Sequence, residues 1–262
     1  MVTFCPKLYQ RPGPEGPRRR GIVSILRAAL EAVDPAAAVR RHLRREGNAL
    51  WVGDRCYDLA SYAHIYVIGA GKAGAPMAQA AEEVLGDRIT GGRVNVKYGH
   101  SLPTRIIEIT KAGHPIPDAA GVSGARRIVE MLEVAKADDL VLCLISGGGS
   151  ALMTLPVEGV SLSDMKALTD TLLRRGAAIQ EINALRKHLE RTKGGRLARL
   201  AFPAQVVSLI LSDVVGNPLD VIASGPTVPD STTYAQAYGV LERYGLVGEA
   251  PPAIVAHLKS GM

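Results

Sequence analysis

The chain has 262 residues, of which 47% are hydrophobic and 21% are charged, a balance that excludes a disordered chain and provides for a sizeable core. Its longest apolar runs, such as residues 140–145, are far shorter than the roughly 18 residues that a membrane-spanning helix needs. The three cysteines, Cys5, Cys56 and Cys143, show no CxxC spacing, which excludes a disulfide framework and a zinc ribbon. We therefore expect a protein of the reducing cytoplasm with no membrane partner.

The net charge of +6 is concentrated at one end of the chain. Residues 1–45 contain ten Lys or Arg and three acidic residues, whereas the remaining chain contains 21 basic and 22 acidic residues. Aromatic residues make up only 4% of the chain, too few for a surface on which bases could stack. The sequence therefore predicts no nucleic-acid partner.

The amino-terminal segment differs in composition from the rest of the chain. Residues 1–20 carry four prolines and no periodicity, which predicts a disordered tail. Helical spacing begins at Ile22, so the folded domain is expected over residues 21–262.

Two further local signals follow the first helix. Asp34 and Pro35 predict the start of a second helix, because Asp caps a helix well and Pro fits the first helical position. Residues 49–59 then predict a β-hairpin that turns at Gly53 and Asp54.

Apolar strands alternate with helices through the remainder of the chain. Strands are predicted over 64–69, 94–98, 106–109, 140–145 and 206–211. Helices are predicted over 70–86, 118–134, 162–201, 234–244 and 251–259. Strands that are apolar throughout and alternate with helices indicate an α/β fold with a mainly parallel sheet covered on both faces.

Three glycine-bearing loops, at 69–74, 146–151 and 212–217, each follow an apolar strand. In parallel sheets of this kind, ligands bind at the carboxyl ends of the strands, where such loops gather. We therefore expect the first two loops to lie side by side at one edge of the sheet.

The first loop matches G-x-G-x-x-G, with Gly69, Gly71 and Lys72 in its first half. Its backbone N–H groups and the following helix N-terminus favour a phosphate. It is a weak dinucleotide fingerprint, because the second strand ends in Lys97 and Tyr98 and offers no acid for a ribose. Lys72 opposes the helix dipole unless an anion lies between them, so we interpret it as a phosphate contact; the alternative is a solvated surface lysine.

The second loop contains three consecutive glycines, which allow backbone N–H groups to converge on an anion. It lacks the GK[ST] of a Walker A loop and the final glycine of a nucleophile elbow, so a serine hydrolase is disfavoured. The alternative interpretation is a flexible turn. The candidate ligand-binding residues in this loop are Ser146, Gly147, Gly148, Gly149 and Ser150.

A group of basic residues follows in the helical region. Positions 186, 190 and 193 fall roughly on one helical face, so Arg186, Lys187 and Lys193 are candidate contacts for a polyphosphate. The alternative is a solvated basic face.

The third loop supplies polar side chains at a strand end. Asp213 could orient a substrate hydroxyl or hold Mg²⁺, with Asn217 nearby as a further binding candidate; the alternative is an Asx-turn. His100 and His114 have no ligand spacing, so no protein-held metal site is predicted.

Seven segments in this order resemble the glycerate 2-kinase family, the group also labelled hydroxypyruvate reductase. They are VIGAGKAGAPMAQA (67–80), KYGH (97–100), AGHPIPDAAG (112–121), LCLISGGGSAL (142–152), EINALRKHL (181–189), KGGRLA (193–198) and LSDVVGNPLDVIASGPTVPD (211–230).

The resemblance implies the reaction of ATP with D-glycerate to give ADP and 2-phosphoglycerate, with Mg²⁺ or another divalent cation. It implies that Lys72 is the catalytic lysine and that the loops around Gly148 and Asp213 line the cleft. The implied partner is a small-molecule substrate.

The resemblance also implies a Rossmann-like three-layer α/β/α amino-terminal domain and a second α/β domain, with the active site between them. Because this sequence ends at Met262, we expect only the first domain, with the second domain or a homo-oligomer needed to complete the site. The pattern departs from the family at Glu190 and Thr192, where a serine and a β-branched apolar residue are expected.

Two other functions stay open from the sequence. One is an NAD(P)-dependent hydroxypyruvate reductase, favoured by the G-x-G-x-x-G match and disfavoured by the missing ribose acid. The other is a ligand-binding domain without catalytic activity.

Overall fold

The computed structural model describes Cys5 and residues 16–262. Helix α1 spans Gly16–Ala32. It begins inside the predicted tail, so the boundary between tail and folded domain lies at Gly16 and not at residue 20. Apart from Cys5, the remainder of the predicted tail lies outside the described residues.

Helix α2 (Pro35–His42) begins where the sequence predicts, and the Asp34 side chain accepts a hydrogen bond from the Ala37 N–H at 2.7 Å. A small antiparallel sheet follows, formed by β1 (Leu43–Glu46), β2 (Ala49–Val52) and β3 (Arg55–Asp58). The hairpin between β2 and β3 is confirmed. Strand β1 was not predicted, because its sequence LRRE carries three charged residues in four.

The main sheet has five strands in the order β6-β5-β4-β7-β8, and every neighbouring pair is parallel. The strands are β4 (His64–Ala70), β5 (Gly91–Lys97), β6 (Ile107–Ala112), β7 (Asp139–Ser146) and β8 (Gln205–Leu211). The chain runs outward from β4 to β6 and then returns beside β4 as β7. The point between β4 and β7 is therefore a topological switch point, where two successive loops diverge and leave a crevice.

In the part of the chain that the structure describes, the further α-helices are α3 (Gly74–Leu85), α4 (Ala119–Glu133), α5 (Gly149–Leu152), α6 (Leu162–Arg174), α7 (Ile179–Leu189), α8 (Arg196–Ala201), α9 (Tyr234–Arg243) and α10 (Pro252–Ser260). The predicted helical stretch over 162–201 is thus three helices.

Both faces of the main sheet are covered, which confirms the predicted α/β fold with a parallel sheet. On one face, α2, α3 and the small sheet pack against residues such as Val67 and Leu142. On the other face, α4, α5 and α8 pack against residues such as Ile68 and Cys143. Alternate residues of one strand thus belong to different cores, as the two-residue period of a strand requires.

Helices α6, α7, α9 and α10 have a core of their own, formed by residues such as Leu168, Leu185, Leu241 and Ile254. This helical group was not predicted as a separate layer. Within the part of the chain that the structure describes, no helix is long and apolar enough to cross a membrane.

Candidate active site

The loops after β4 and β7 lie side by side at the switch point, as the strand pattern predicts. The Lys72 N–H donates a hydrogen bond to the Gly147 carbonyl at 2.9 Å, and the Ala73 N–H donates to Ser146 Oγ at 3.0 Å. The Gly71 N–H donates to the Asn95 carbonyl of β5 at 3.0 Å. These three contacts fix the path of the lysine-bearing loop before any ligand binds.

The three glycines of the second loop form the floor of the site, and none has room for a side chain. A Cβ on Gly147 would collide with the Asp213 carboxylate, and one on Gly149 would lie 2.9 Å from the Ala223 Cβ. Gly148 has φ +89°, and a Cβ there would lie 2.8 Å from the His114 ring. The glycines therefore let side chains from three distant segments approach the loop backbone.

Two cations face this floor without a tight partner. Lys72 Nζ lies 3.8 Å from Asp213 Oδ2, and both side chains are substantially exposed. Arg186, on α7, makes no hydrogen bond or ion pair within the described part of the chain. An anionic ligand would supply the missing partner for both cations.

His114 adds a neutral polar group to the same place. Burial lowers the pKa of its imidazole, and the positive charges of Lys72 and Lys97 lower it further. A neutral imidazole can accept a proton at one ring nitrogen and donate a hydrogen bond from the other, whereas both nitrogens of a protonated ring are donors.

Gly147, Gly148, His114, Arg186 and Asp213 line a cavity of about 660 Å³, whereas Lys72 contacts the floor beside Gly148 and is not part of the lining. One wall is apolar and comes from helices α6 and α7, with Met165, Leu173, Ile179 and Ile182. The lining also carries polar groups, including His114, Gly148, Ser150, Thr154, Arg186, Glu190 and Asp213. A mostly apolar cavity with a few convergent polar groups is typical of a small-molecule site.

The cavity wall also contains strained backbone. Ala223 and Ser224 have φ of 51° and 61°, the left-handed region that residues with side chains rarely adopt. Ser224 Oγ lies 2.9 Å from Ser150 Oγ and donates a hydrogen bond to Asn183 Oδ1 at 3.2 Å. Such strain concentrates at functional sites, where neighbouring contacts hold it in place.

The structure does not bring Lys187 and Lys193 into the cavity. Lys187 is buried and pairs with Asp230 at 3.2 Å and Asp220 at 3.6 Å. Lys193 is fully buried and pairs with Glu190 at 2.6 Å. The predicted helical face over positions 186, 190 and 193 is wrong, because helix α7 ends at Leu189 and Lys193 lies in the turn before α8. Acidic residues neutralise both lysines, so no positive stripe forms.

Gly69 and Asn217 also lie apart from the cavity lining. Gly69 is within β4, where a Cβ would collide with the Leu144 carbonyl of β7, so its role is strand packing. Asn217 is exposed with φ +50°, which fits the turn interpretation.

Sequence reasoning missed His114, Glu190 and the strained pair at 223–224. His114 was considered only as a metal ligand and set aside. Its available signal was position, because it lies in the loop that follows β6 and so reaches the same carboxyl edge of the sheet. No sequence signal indicates the left-handed backbone at Ala223.

The fold is a parallel α/β domain with a glycine-rich loop at its switch point and with two available basic side chains nearby. Domains of this class bind small phosphorylated or carboxylated ligands at that position. Residues 22–259 match the family described as Domain of unknown function (DUF4147), and the chain belongs to that family.

Relatives of known name fall into two groups. The chain is 46% identical over 225 residues to a D-glycerate 2-kinase of Thermotoga maritima, covering 86% of this chain and 51% of the relative. It is 49% identical over 195 residues to a putative hydroxypyruvate reductase of Agrobacterium vitis, covering 74% of this chain and 50% of the relative. The predicted family resemblance is thereby confirmed, and the chain spans about half the length of the curated relatives it matches.

A solved structure from Pyrococcus horikoshii OT3 has the same fold. It superposes with a TM-score of 0.87 at 40% identity, covering 93% of this chain and 55% of that one.

Proposed function

We propose that this chain forms part of a glycerate 2-kinase, which transfers the γ-phosphoryl group of ATP to the 2-hydroxyl of D-glycerate and releases ADP. The observation that carries the proposal is the glycine floor itself, where Gly148 contacts the Lys72 side chain and also lines the cavity that Arg186 and Asp213 line. The name of the 46% identical Thermotoga maritima relative supports it.

Phosphoryl transfer depends on positioning and charge neutralisation, and this site offers groups for both. Lys72 neutralises charge on the transferring group, and the free N–H groups of the glycine loop bind anionic oxygens. Arg186 holds a second anionic group of the ligands. Asp213, beside Gly147, accepts a hydrogen bond from the attacking hydroxyl.

The proposal includes a divalent cation that binds with the nucleotide and not at a metal site built by protein side chains alone. Within residues 16–262 and Cys5, no group of three or more His, Cys, Asp or Glu side chains could hold a metal ion. The residues present do not form an all-protein metal site, and Asp213 offers a single carboxylate beside the phosphate-binding loop. Mg²⁺ carried by nucleotide phosphates needs no more than one or two carboxylates.

Reduction of hydroxypyruvate is the second candidate, because the Agrobacterium vitis relative carries that name. The end of β5 argues against it. Lys97 ends that strand, and neither it nor Tyr98 is an acid that could hold a nicotinamide-cofactor ribose. The cytoplasmic location and the single domain over residues 21–262 stay predictions.

The test uses this chain co-expressed with the part of the Thermotoga maritima relative that it does not match. Coupled ADP release with ATP and D-glycerate is compared with NADH or NADPH consumption with hydroxypyruvate. We expect glycerate-dependent ADP release and no reductase activity. Reduction of hydroxypyruvate without ADP release would overturn the kinase proposal.

A further inference from the structure

A buried carboxylate in the cavity wall has no role in the proposed chemistry. Glu190 lines the cavity, yet only 1% of the residue is exposed. Its Oε2 accepts a hydrogen bond from Lys193 Nζ at 2.6 Å, and no described residue donates a hydrogen bond to Oε1. Oε1 is not among the fully buried side-chain atoms that lack a partner, so it is reached from the cavity and is an acceptor available to a ligand.

Two polar residues that line the cavity with Glu190 do not donate to Oε1. The Thr154 hydroxyl is directed to the Ser150 and Ala151 carbonyls at 3.1 and 3.2 Å. Arg186, one helical turn earlier, does not form an ion pair with Glu190. The acceptor therefore stays open on the cavity side.

The backbone of Glu190 is fixed, so the carboxylate cannot easily turn away. It ends helix α7, pairs with Pro156 in an isolated β-bridge, and its carbonyl accepts from Arg196 at 3.1 Å. Lys193 is equally fixed, since it is fully buried and also reaches the Met153 carbonyl at 3.5 Å.

We propose that Glu190 is a specificity-determining residue of this cavity. Its Oε1 accepts a hydrogen bond from a neutral hydroxyl of the substrate, and its negative charge rejects a second carboxylate at that position. The inference rests on the proposed function and narrows the substrate class to monocarboxylic acids that carry a second hydroxyl, the one that is not phosphorylated. Arg186 on the same wall is the cation available to the single carboxylate.

Three small acids of similar size separate the hydrogen bond to the substrate hydroxyl from the repulsion of a second carboxylate. D-Glycerate has the second hydroxyl, D-lactate lacks it, and tartronate carries a carboxylate in place of the hydroxymethyl group. We expect calorimetric titration of the chain co-expressed with the unmatched part of the Thermotoga maritima relative to show D-glycerate bound at least about tenfold more tightly than either analogue.

Two double variants test the residue, because neutralising both members of the ion pair leaves no unpaired buried charge. E190Q/K193M keeps an acceptor oxygen, so D-glycerate binding should persist while the preference over tartronate falls about tenfold. E190L/K193M removes the acceptor, so the preference over D-lactate should also disappear.

The matched control is E133Q/R191M, which removes an exposed ion pair with a 2.7 Å contact outside the cavity and should leave all ratios unchanged. Wild-type ratios in the folded Glu190 variants would overturn the role of Glu190 while leaving the kinase proposal intact. If the wild-type chain binds none of the three acids, both proposals fail.

Discussion

Two lysines beside glycines have opposite environments in this protein. Lys72 follows Gly71 at the cavity edge, is 42% exposed, and lies 3.8 Å from the Asp213 carboxylate. Lys193 precedes Gly194, is fully buried, and lies 2.6 Å from the Glu190 carboxylate. The same local sequence pattern thus yields a cation available to a ligand in one region and a cation satisfied within the protein in the other. A nearby buried acid, and not the glycine, distinguishes the two regions.

The largest effect should come from breaking the satisfied pair. Lys193→Met leaves Glu190 buried without its counter-charge, and we expect a loss of about 3–5 kcal/mol in the free energy of unfolding. Urea unfolding followed by circular dichroism measures it. The double variant E190Q/K193M should recover most of the loss, and an unstable double variant would contradict the electrostatic explanation.

Removing the positive charge of Lys72 should leave the stability of the fold intact and abolish phosphoryl transfer. In the co-expressed protein, Lys72→Met should lower kcat more than 100-fold, because a contact to transition-state charge is worth about 3 kcal/mol. The melting temperature should stay within about 2 °C of the wild-type value. Lys136→Met, an exposed lysine near the opposite end of β7, is the control and should retain activity. Full activity of Lys72→Met would assign the chemistry elsewhere.

Replacing glycines by alanine should have a smaller effect on stability, and two such replacements separate the cost of backbone strain from the cost of a steric clash at the glycine floor. Gly148→Ala introduces both backbone strain, at φ +89°, and a steric clash, because the new Cβ lies 2.8 Å from the His114 ring. It should lower the free energy of unfolding by about 2–3 kcal/mol. Gly159→Ala has a similar φ of +81° and open space around it, so it should cost only about 1 kcal/mol. Equal losses in thermal unfolding would show that His114 moves freely.

The smallest effect concerns how the free energy of unfolding depends on pH through Glu82, a second buried charge with partners inside the protein. Burial raises the pKa of Glu82, but backbone N–H groups of Ile107, Arg105 and Ile106 lower it more, so the net pKa is below its ordinary value. Its contribution to stability is therefore complete above the unfolded-state pKa and is lost as the pH falls through the lowered folded-state pKa. Glu82→Gln should flatten the acid limb of the stability curve.

The neighbouring Glu83 provides the control for that measurement. It is exposed and pairs with Arg40 on the surface, so Glu83→Gln should change the curve little. An equal change in both variants would mean that burial of Glu82 does not matter.

The sequence predicted the main sheet and the adjacency of two loops because apolar strands and parallel pairing leave few arrangements. It could not predict the environment of Lys193, because the predicted helix over 162–201 is broken after Leu189 and the turn that follows directs this lysine into the interior. His114 was missed for a related reason. Its contact with Gly148 depends on the path of the loop after β6, which no periodicity encodes.

The glycine floor has a consequence for how the molecule folds. Its covering groups come from the loops at Lys72, His114, Asp213 and Ala223, so its contacts join segments that are far apart in the chain. Contacts of high sequence separation form late, after the chain entropy of closing long loops has been lost. The pairing of β4 with β7 spans the same separation, as between His64 and Asp139, so the site should become ordered together with the centre of the sheet and bind no anion before then.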